Sequence, residues 1–198
     1  MEHTITRRSL IAASLALLAN PVFAAQRRYE LDTRKANITY TFLLNDRPVK
    51  GVVPLESAKV LIDPNDLGKS TADVTADIRR ARTGLIFATD ALKSASVLNA
   101  SRFPLARFTS RKVRLGPNDR LSGGARIEGD LTLRGQTRPI SLAADVFRAS
   151  GSDAQDLSNL TVKLVGQLSR AAFGATGYPK IVADNVRLDI TVNVREVT

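Results

Sequence analysis

The sequence predicts an all-β chain folded as an eight-stranded antiparallel barrel, with a short helical segment between the third and fourth strands. Three observations carry this. Apolar residues recur at every second position in one run after another. Clusters of turn-forming residues separate the runs. A single segment trades the two-residue period for a helical one. A strand sends successive side chains to opposite faces, so each run has one apolar and one polar face.

The first run sets Ile38, Tyr40 and Phe42 against Asn37, Thr39 and Thr41, a strand over 34–44. Asn45-Asp46-Arg47-Pro48 is turn chemistry, and a second strand over 49–62 follows it. Asp63-Pro64-Asn65-Asp66 is the next turn. Beyond it Ala72, Val74 and Ala76 alternate with Thr71, Asp73 and Thr75, a strand over 70–78.

The period then changes. Between Thr89 and Pro104, Leu92, Ala95 and Leu98 recur at helical spacing, with Thr89 or Asp90 as N-cap and Asn99 and Pro104 as stops. The fourth strand covers 105–115 and ends at Gly116-Pro117-Asn118-Asp119. The fifth and sixth, 120–133 and 136–147, read as a hairpin. Ala125, Ile127, Gly129, Leu131 and Leu133 are answered by Ile140, Leu142, Ala144 and Val146. After Ser150-Gly151-Ser152-Asp153 comes a seventh strand over 157–169, with Leu160, Val162 and Leu164 on one face. The eighth, over 182–195, sets Val186, Leu188, Ile190, Val192 and Val194 against Arg187, Asp189, Thr191, Asn193 and Arg195.

One short helix cannot cover eight apolar strand faces, which cost about 25 cal/mol per Å² when left to water. The sheet must fold onto itself as a sandwich or close into a barrel, and closure also removes the edges. Eight strands enclose a space that is filled by side chains or holds one small ligand. The chain has no Trp and 7 Phe, and expected inward positions at Ala72, Ala76, Ala125, Gly129, Ala144 and Gly166 are small. That pattern predicts an elongated void beside Phe108 and Leu164. Alternation alone leaves open a flattened sandwich in which small residues let the sheets approach.

Residues 1–24 read as an export signal peptide, and 25–198 as a single barrel domain. Arg7 and Arg8 precede an apolar run from Leu10 to Ala19, and Val22-Phe23-Ala24 is a small-residue cleavage pattern. The run is shorter than the ~20 residues of a spanning helix. Thr6-Arg7-Arg8-Ser9-Leu10-Ile11 fits a twin-arginine signal in part, so the twin-arginine and general secretory routes both stay open. The expected location is the periplasm or the medium.

Export would remove His3, the only histidine, and the chain has no cysteine. That excludes nucleophiles paired with His, and zinc, copper or haem sites built on His or Cys. It also leaves the domain to fold without disulfides. The net charge of +10 is spread singly along the chain, without a basic block or an aromatic-studded motif. No nucleic-acid partner is expected. An anionic lipid surface or headgroup fits better, and a surface charged only for solubility remains the plain alternative. Glu128 and Asp130 lie on an outward face, and no nucleophile elbow, phosphate loop or metal-spaced cluster is present, so no enzyme activity is expected.

The order of the segments resembles the YceI family of exported, lipocalin-like, polyisoprenoid-binding proteins over Tyr29 to Val197. The hairpin Gly129-Asp130-Leu131-Thr132-Leu133-Arg134-Gly135-Gln136-Thr137-Arg138-Pro139-Ile140 is similar to the family's G-x-L-T-I-R-G-x-T-x-P-V. Asp90-Ala91-Leu92-Lys93-Ser94, Phe103-Pro104 and Phe108-Thr109-Ser110 resemble its D-x-x-L-K-S, F-P and F-x-S. Leu168-Ser169-Arg170-Ala171-Ala172-Phe173-Gly174 resembles its I-x-R-x-x-F-G, and Asp184-Asn185-Val186 its D-x-V. Two stretches depart: Lys35-Ala36 stand where the family has His-Ser, and Val53 where it has Phe.

The resemblance implies an isoprenoid chain inside the barrel, with no cofactor beyond such a lipid. The lining it implies comes from inward apolar residues. The first strand gives Tyr40 and Phe42, and the helical region and its flanks give Phe87, Leu92 and Phe103. The later strands give Phe108, Ile127, Leu131, Leu142, Val162, Leu164 and Leu188, and the late motif gives Phe173. Ordinary core packing explains any one of them equally well. Arg170 falls where an inward residue is due. It can meet an anionic or carbonyl headgroup, or pair with Asp184 or Asp32, since a buried charge needs a partner. Arg134 and Arg138 flank the hairpin turn, either facing phosphate at the barrel mouth or solvated. The expected function is non-catalytic binding, storage or transport of a quinone or polyprenyl phosphate type lipid. The expected partners are that isoprenoid lipid or quinone and, transiently, an anionic membrane surface; a homodimer stays open. The alternative is a stress-linked periplasmic interaction protein with a filled core, acting through its basic surface.

Overall fold

The run with the cleanest alternation builds the longest ladder. Asn185–Val197 pairs antiparallel with Asn159–Ser169 from Asn185↔Ser169 to Arg195↔Asn159. A computed structural model describes residues 27–31, 36–63, 66–116, 124–153 and 156–197. The expected export signal lies outside them, as do Asp32, Lys35 and the start of the expected strand 120–133.

The strands are β1 (Arg27–Leu31), β2 (Asn37–Leu44), β3 (Arg47–Ile62), β4 (Thr71–Asp77), β5 (Arg82–Thr83), β6 (Leu105–Leu115), β7 (Ala125–Leu133), β8 (Gln136–Arg148), β9 (Asn159–Ser169) and β10 (Asn185–Val197). The one α-helix among the described residues, α1, spans Ile86–Lys93. Neighbours run β2-β3-β4-β6-β7-β8-β9-β10, and β10 pairs back onto β2, so eight antiparallel strands close into a barrel. Closure satisfies every long edge from within the sheet. α1 lies between the third and fourth barrel strands, β4 and β6.

Register irregularities bend two ladders, between Leu55 and Ser57 in β3 and between Ser110 and Lys112 in β6. The first lets one 16-residue strand pair with β2 and β5 along its first half and with β4 and β1 along its second. Such bulges turn a strand and sharpen its twist, which closure needs.

Two short strands were not expected from the sequence. β1 wedges between the ends of β3 and β10, with Tyr29 opposite both Val60 and Glu196. Tyr29 is buried, and its hydroxyl donates to the Leu157 carbonyl at 2.8 Å, so β1 seals the end of the barrel away from α1. The Arg27–Leu31 stretch alternates only Tyr29 and Leu31, too short a pattern to stand out. β5 is two residues long.

The helix differs from the expectation in position. It begins after Leu85, three residues ahead of Thr89, and ends at Lys93. Thr89 caps nothing: its hydroxyl donates to the Leu85 carbonyl at 3.2 Å and accepts from the Thr83 amide at 2.9 Å. Ala95 and Leu98 lie in the turns that follow, where Asn99 has a φ of 49°. The helix starts on Ile86 and Phe87, both strongly exposed, so its first turn carries no buried apolar stripe to read.

Candidate functional site

Whether the barrel is hollow depends on what stands opposite its small residues. A Cβ on Gly129 would lie 2.5 Å from the ring of Phe108, and one on Gly166 would lie 2.4 Å from a methyl of Leu142. A Cβ on Gly51 would lie 2.2 Å from the ring of Tyr40, its register partner. In each case the missing side chain makes room for a large one across the ladder. In the half of the barrel holding Phe108 and Leu164, two of these glycines give their space to Phe108 and Leu142, while Phe108 and Leu164 themselves are only part-buried.

A cavity of about 370 Å³ lies in the other half, under α1. That is near the low end of the ~300–1,000 Å³ typical of small-molecule sites. Ile38, Tyr40, Phe42 and Leu44 of β2 line it, facing Leu131 and Leu133 of β7 and Val186 and Leu188 of β10. Val53, Ala76, Ala106 and Leu168 complete the strand wall. α1 adds Phe87, Ala88, Ala91 and Leu92, spaced so that one helical face looks inward. The loop after β9 adds Ala175, Gly177, Tyr178, Ile181 and Val182. Among the described residues, Arg170 is the only charged one on the wall.

Arg170 sits at the end of β9 and is 9% exposed. Its Nε donates to the Ala183 carbonyl at 3.0 Å, Nη2 to Val182 at 2.8 Å, and Nη1 to Gly177 at 2.7 Å and to Ala175. Those carbonyls belong to both arms of one loop, so the guanidinium threads it and holds its shape. A buried charge is costly unless its donors are satisfied, and four carbonyl dipoles satisfy four of the five N–H groups here. The expected ion pair with Asp184 is not formed. Asp184 instead accepts from the Ala171 amide at 2.8 Å. The Ser169 hydroxyl, and then that amide, hold its carboxyl below the usual range. Gly174 closes the 3-10 turn Ala171–Phe173 with a φ of 73°, and Phe173 is fully buried beneath it.

Tyr40 is buried, and its hydroxyl donates to the Arg82 carbonyl at 3.2 Å. Burial pushes its phenol pKa up, so the ring remains neutral. Asp77 is buried beside the wall at the 3-10 turn Ile78–Arg80, which carries Ile78 into the lining. It accepts from Arg79 N and Nε at 3.0 and 2.9 Å. It also accepts from Arg79 Nη2 at 2.9 Å and Arg80 Nε at 3.0 Å. The Arg79 hydrogen bond holds its carboxyl below the usual range.

Of the residues singled out in the sequence, Tyr40, Phe42, Phe87, Leu92, Leu131, Leu188 and Arg170 lie on this wall. Seven do not. Phe108 and Leu142 fill the spaces over Gly129 and Gly166, and Ile127 is paired with Leu142. Val162 and Leu164 face Val192 and Ile190 across the β9–β10 ladder. Phe103 packs over Gly135 of the β7–β8 turn, under the Arg102 guanidinium at 5.3 Å. Phe173 is buried behind the Arg170 loop.

Arg134 and Arg138 are held differently at the hairpin turn. Arg134 Nη2 donates to the Ala95 carbonyl at 2.9 Å, tying the hairpin turn to the segment after α1, and its buried Nε has no partner. Arg138 Nη1 donates to the neighbouring Thr137 carbonyl at 3.1 Å. Of the two departures from the family pattern, Lys35 lies outside the described residues and Ala36 is buried. Val53, the residue in place of Phe, stands on the cavity wall and leaves room there.

The wall also holds residues that the sequence reading passed over. Ile38, Leu133, Leu168 and Val186 continue alternations already read, so period two could have named them. Tyr178 and Ile181 come from irregular chain, where no period points inward.

Comparison with known proteins agrees with this architecture. A YceI-like domain is matched over residues 29–194. A UPF0312 protein of Vibrio vulnificus is 32% identical over 151 residues, 74% of this chain and 77% of that protein. Protein YceI of Escherichia coli is 33% identical over 112 residues, 54% of this chain and 47% of that one. Among solved structures, Burkholderia cenocepacia BcnA superposes with a TM-score of 0.71 at 21% identity, covering 83% of this chain and 99% of its own. A polyisoprenoid-binding domain from Saccharophagus degradans, implicated in plant cell wall breakdown, gives 0.60 at 12% identity, covering 85% and 98%. With the matched domain spanning nearly the whole described barrel, the chain belongs to the YceI-like family.

Proposed function

We propose that this chain is a non-catalytic carrier that binds, stores or transports a long-chain isoprenoid lipid of the quinone or polyprenyl phosphate type. The observation that carries the reading is the half-barrel cavity walled by apolar side chains, with one charge whose donors are largely spent on the protein's own carbonyls. Such a wall rewards burial of hydrocarbon, at about 0.8 kcal/mol per CH₂, and offers little to a polar substrate. Family membership points the same way, toward lipid binding rather than catalysis. The cavity weighs against a barrel that is filled throughout and acts only through its basic surface.

The carrier acts after export through residues 1–24, in the periplasm or beyond. Native mass spectrometry of protein purified without detergent tests the lipid reading. The expected result is a co-purified lipid, or uptake of an added isoprenoid quinone. A bare mass with no uptake overturns it. N-terminal sequencing of exported protein tests the leader, with Ala25 expected as the first residue.

A further inference from the structure

The cavity opens between α1 and the loop after β9, and its rim is apolar. Ile86 is 86% exposed, Phe87 66%, Tyr178 47% and Ile181 43%. The Asn45 amide donates to the Ile181 carbonyl at 2.8 Å, which brings the β2–β3 turn to the same rim. Large apolar side chains clustered in water around an opening mark a contact surface rather than a packing remnant.

The charge around this rim is one-sided. The segments 45–50, 82–93 and 177–182 that frame it carry five cations and two carboxylates, Asp46 and Asp90. Among the described residues, none of those cations forms an ion pair. The ion pairs lie along the walls instead, as in Arg114–Glu128 and Arg187–Asp189. Cations left free beside an apolar rim complement anionic headgroups above an acyl layer.

We infer that the protein docks mouth-first on an anionic bilayer, with Ile86, Phe87, Tyr178 and Ile181 entering the headgroup boundary and the surrounding cations, Arg82 and Lys180 among them, meeting anionic headgroups. The purpose of the docking rests on the lipid-binding reading, because it lets an acyl chain pass from membrane to cavity without crossing water. The docking itself is read separately.

The chain has no Trp, so a single introduced Trp reports without background. Ile86→Trp places it on the rim. Phe147→Trp places it at another exposed apolar site, at the opposite end of the barrel on β8 opposite Thr161, where Lys163 lies over the ring. With phosphatidylglycerol vesicles, Ile86→Trp is expected to shift to the blue and to be quenched by brominated acyl chains, while Phe147→Trp does neither. Phosphatidylcholine vesicles and high salt should weaken the response. Adding Lys180→Gln should weaken anionic-vesicle affinity about fivefold, the value of one cation at such a surface. Equal responses at both ends, or none at Ile86, overturn the proposal. So does a blue shift of Ile86→Trp that grows with protein concentration in the absence of vesicles, since a second copy would then cover the rim. Native mass spectrometry of the same variants keeps the two readings apart: lipid retained without docking sinks only the docking.

Discussion

The ring of Phe108 occupies the space that a side chain on Gly129 would take, 2.5 Å from the position of its Cβ. The two residues lie on adjacent strands, both facing the barrel interior. Leu142 and Gly166 repeat the arrangement on β8 and β9, and Tyr40 and Gly51 on β2 and β3. In each pair the side chain that glycine lacks leaves room for a ring or a branched chain on the next strand. Where Ala76 and Ala106 face one another from the paired strands β4 and β6, nothing fills the gap and the cavity opens.

Gly129→Ala and Gly166→Ala should therefore destabilise the protein by about 1–3 kcal/mol each, through overpacking. Gly151→Ala is the comparison. Unlike Gly129 and Gly166 it has a positive φ, at 81°, and nothing lies within 4 Å of its Cβ position, so Ala there adds backbone strain and no clash. Urea unfolding of the three variants checks this. A Gly129→Ala as mild as Gly151→Ala would mean that both the Phe108 ring and the Thr109 carbonyl, each 2.5 Å from the Cβ position, give way freely.

Arg170→Lys should loosen the loop over 171–183 and lower stability by on the order of 3 kcal/mol, because an ammonium cannot reach the four carbonyls that the guanidinium spans. Hydrogen exchange at Gly177, Val182 and Ala183 reads the loosening directly. Protection equal to wild type in Arg170→Lys would show that the loop holds itself.

How much of this was legible in the sequence follows from where side-chain period operates. The eight barrel strands show in residues such as Val186 to Val194, because burial on one face imposes period two. β1 escaped because Tyr29 and Leu31 are too few to make a period. The cavity's position escaped for a different reason. A small inward residue signals a void or a large neighbour equally well, and only the register pairing Gly166 with Leu142 decides between them. Arg170 was legible as a buried charge. Its partners were not, since backbone carbonyls carry no sequence signature.

Asp77 sets a limit on acid stability. The Arg79 hydrogen bond lowers its folded pKa below the unfolded value of about 3.9. A depressed folded pKa contributes stability that is present above the unfolded value and lost as pH falls through the folded one. Stability should therefore decline below about pH 4, and the Asp77→Asn variant should be less stable at neutral pH with a flatter acid limb. Unfolding free energies measured from pH 2 to pH 7 decide it. Parallel acid limbs in the two proteins would assign the acid sensitivity to other carboxylates.

Filling the cavity separates lipid binding from fold. Ala106 is 9% exposed and stands on the cavity wall, so in Ala106→Phe the new ring projects into empty volume. Ala144 is 3% exposed and lies off that wall, between Ala125 and Leu164 in the neighbouring ladders. The same substitution there must displace the side chains that bury Ala144. Ala106→Phe should keep or raise the melting temperature while cutting isoprenoid uptake at least about tenfold, a loss of ~1.4 kcal/mol. Ala144→Phe should lower stability by about 1–3 kcal/mol. Thermal unfolding and native mass spectrometry on both variants check the pair. Undiminished uptake in a stably folded Ala106→Phe would place the lipid outside this cavity, because chain carbons and an added ring cannot share the same volume.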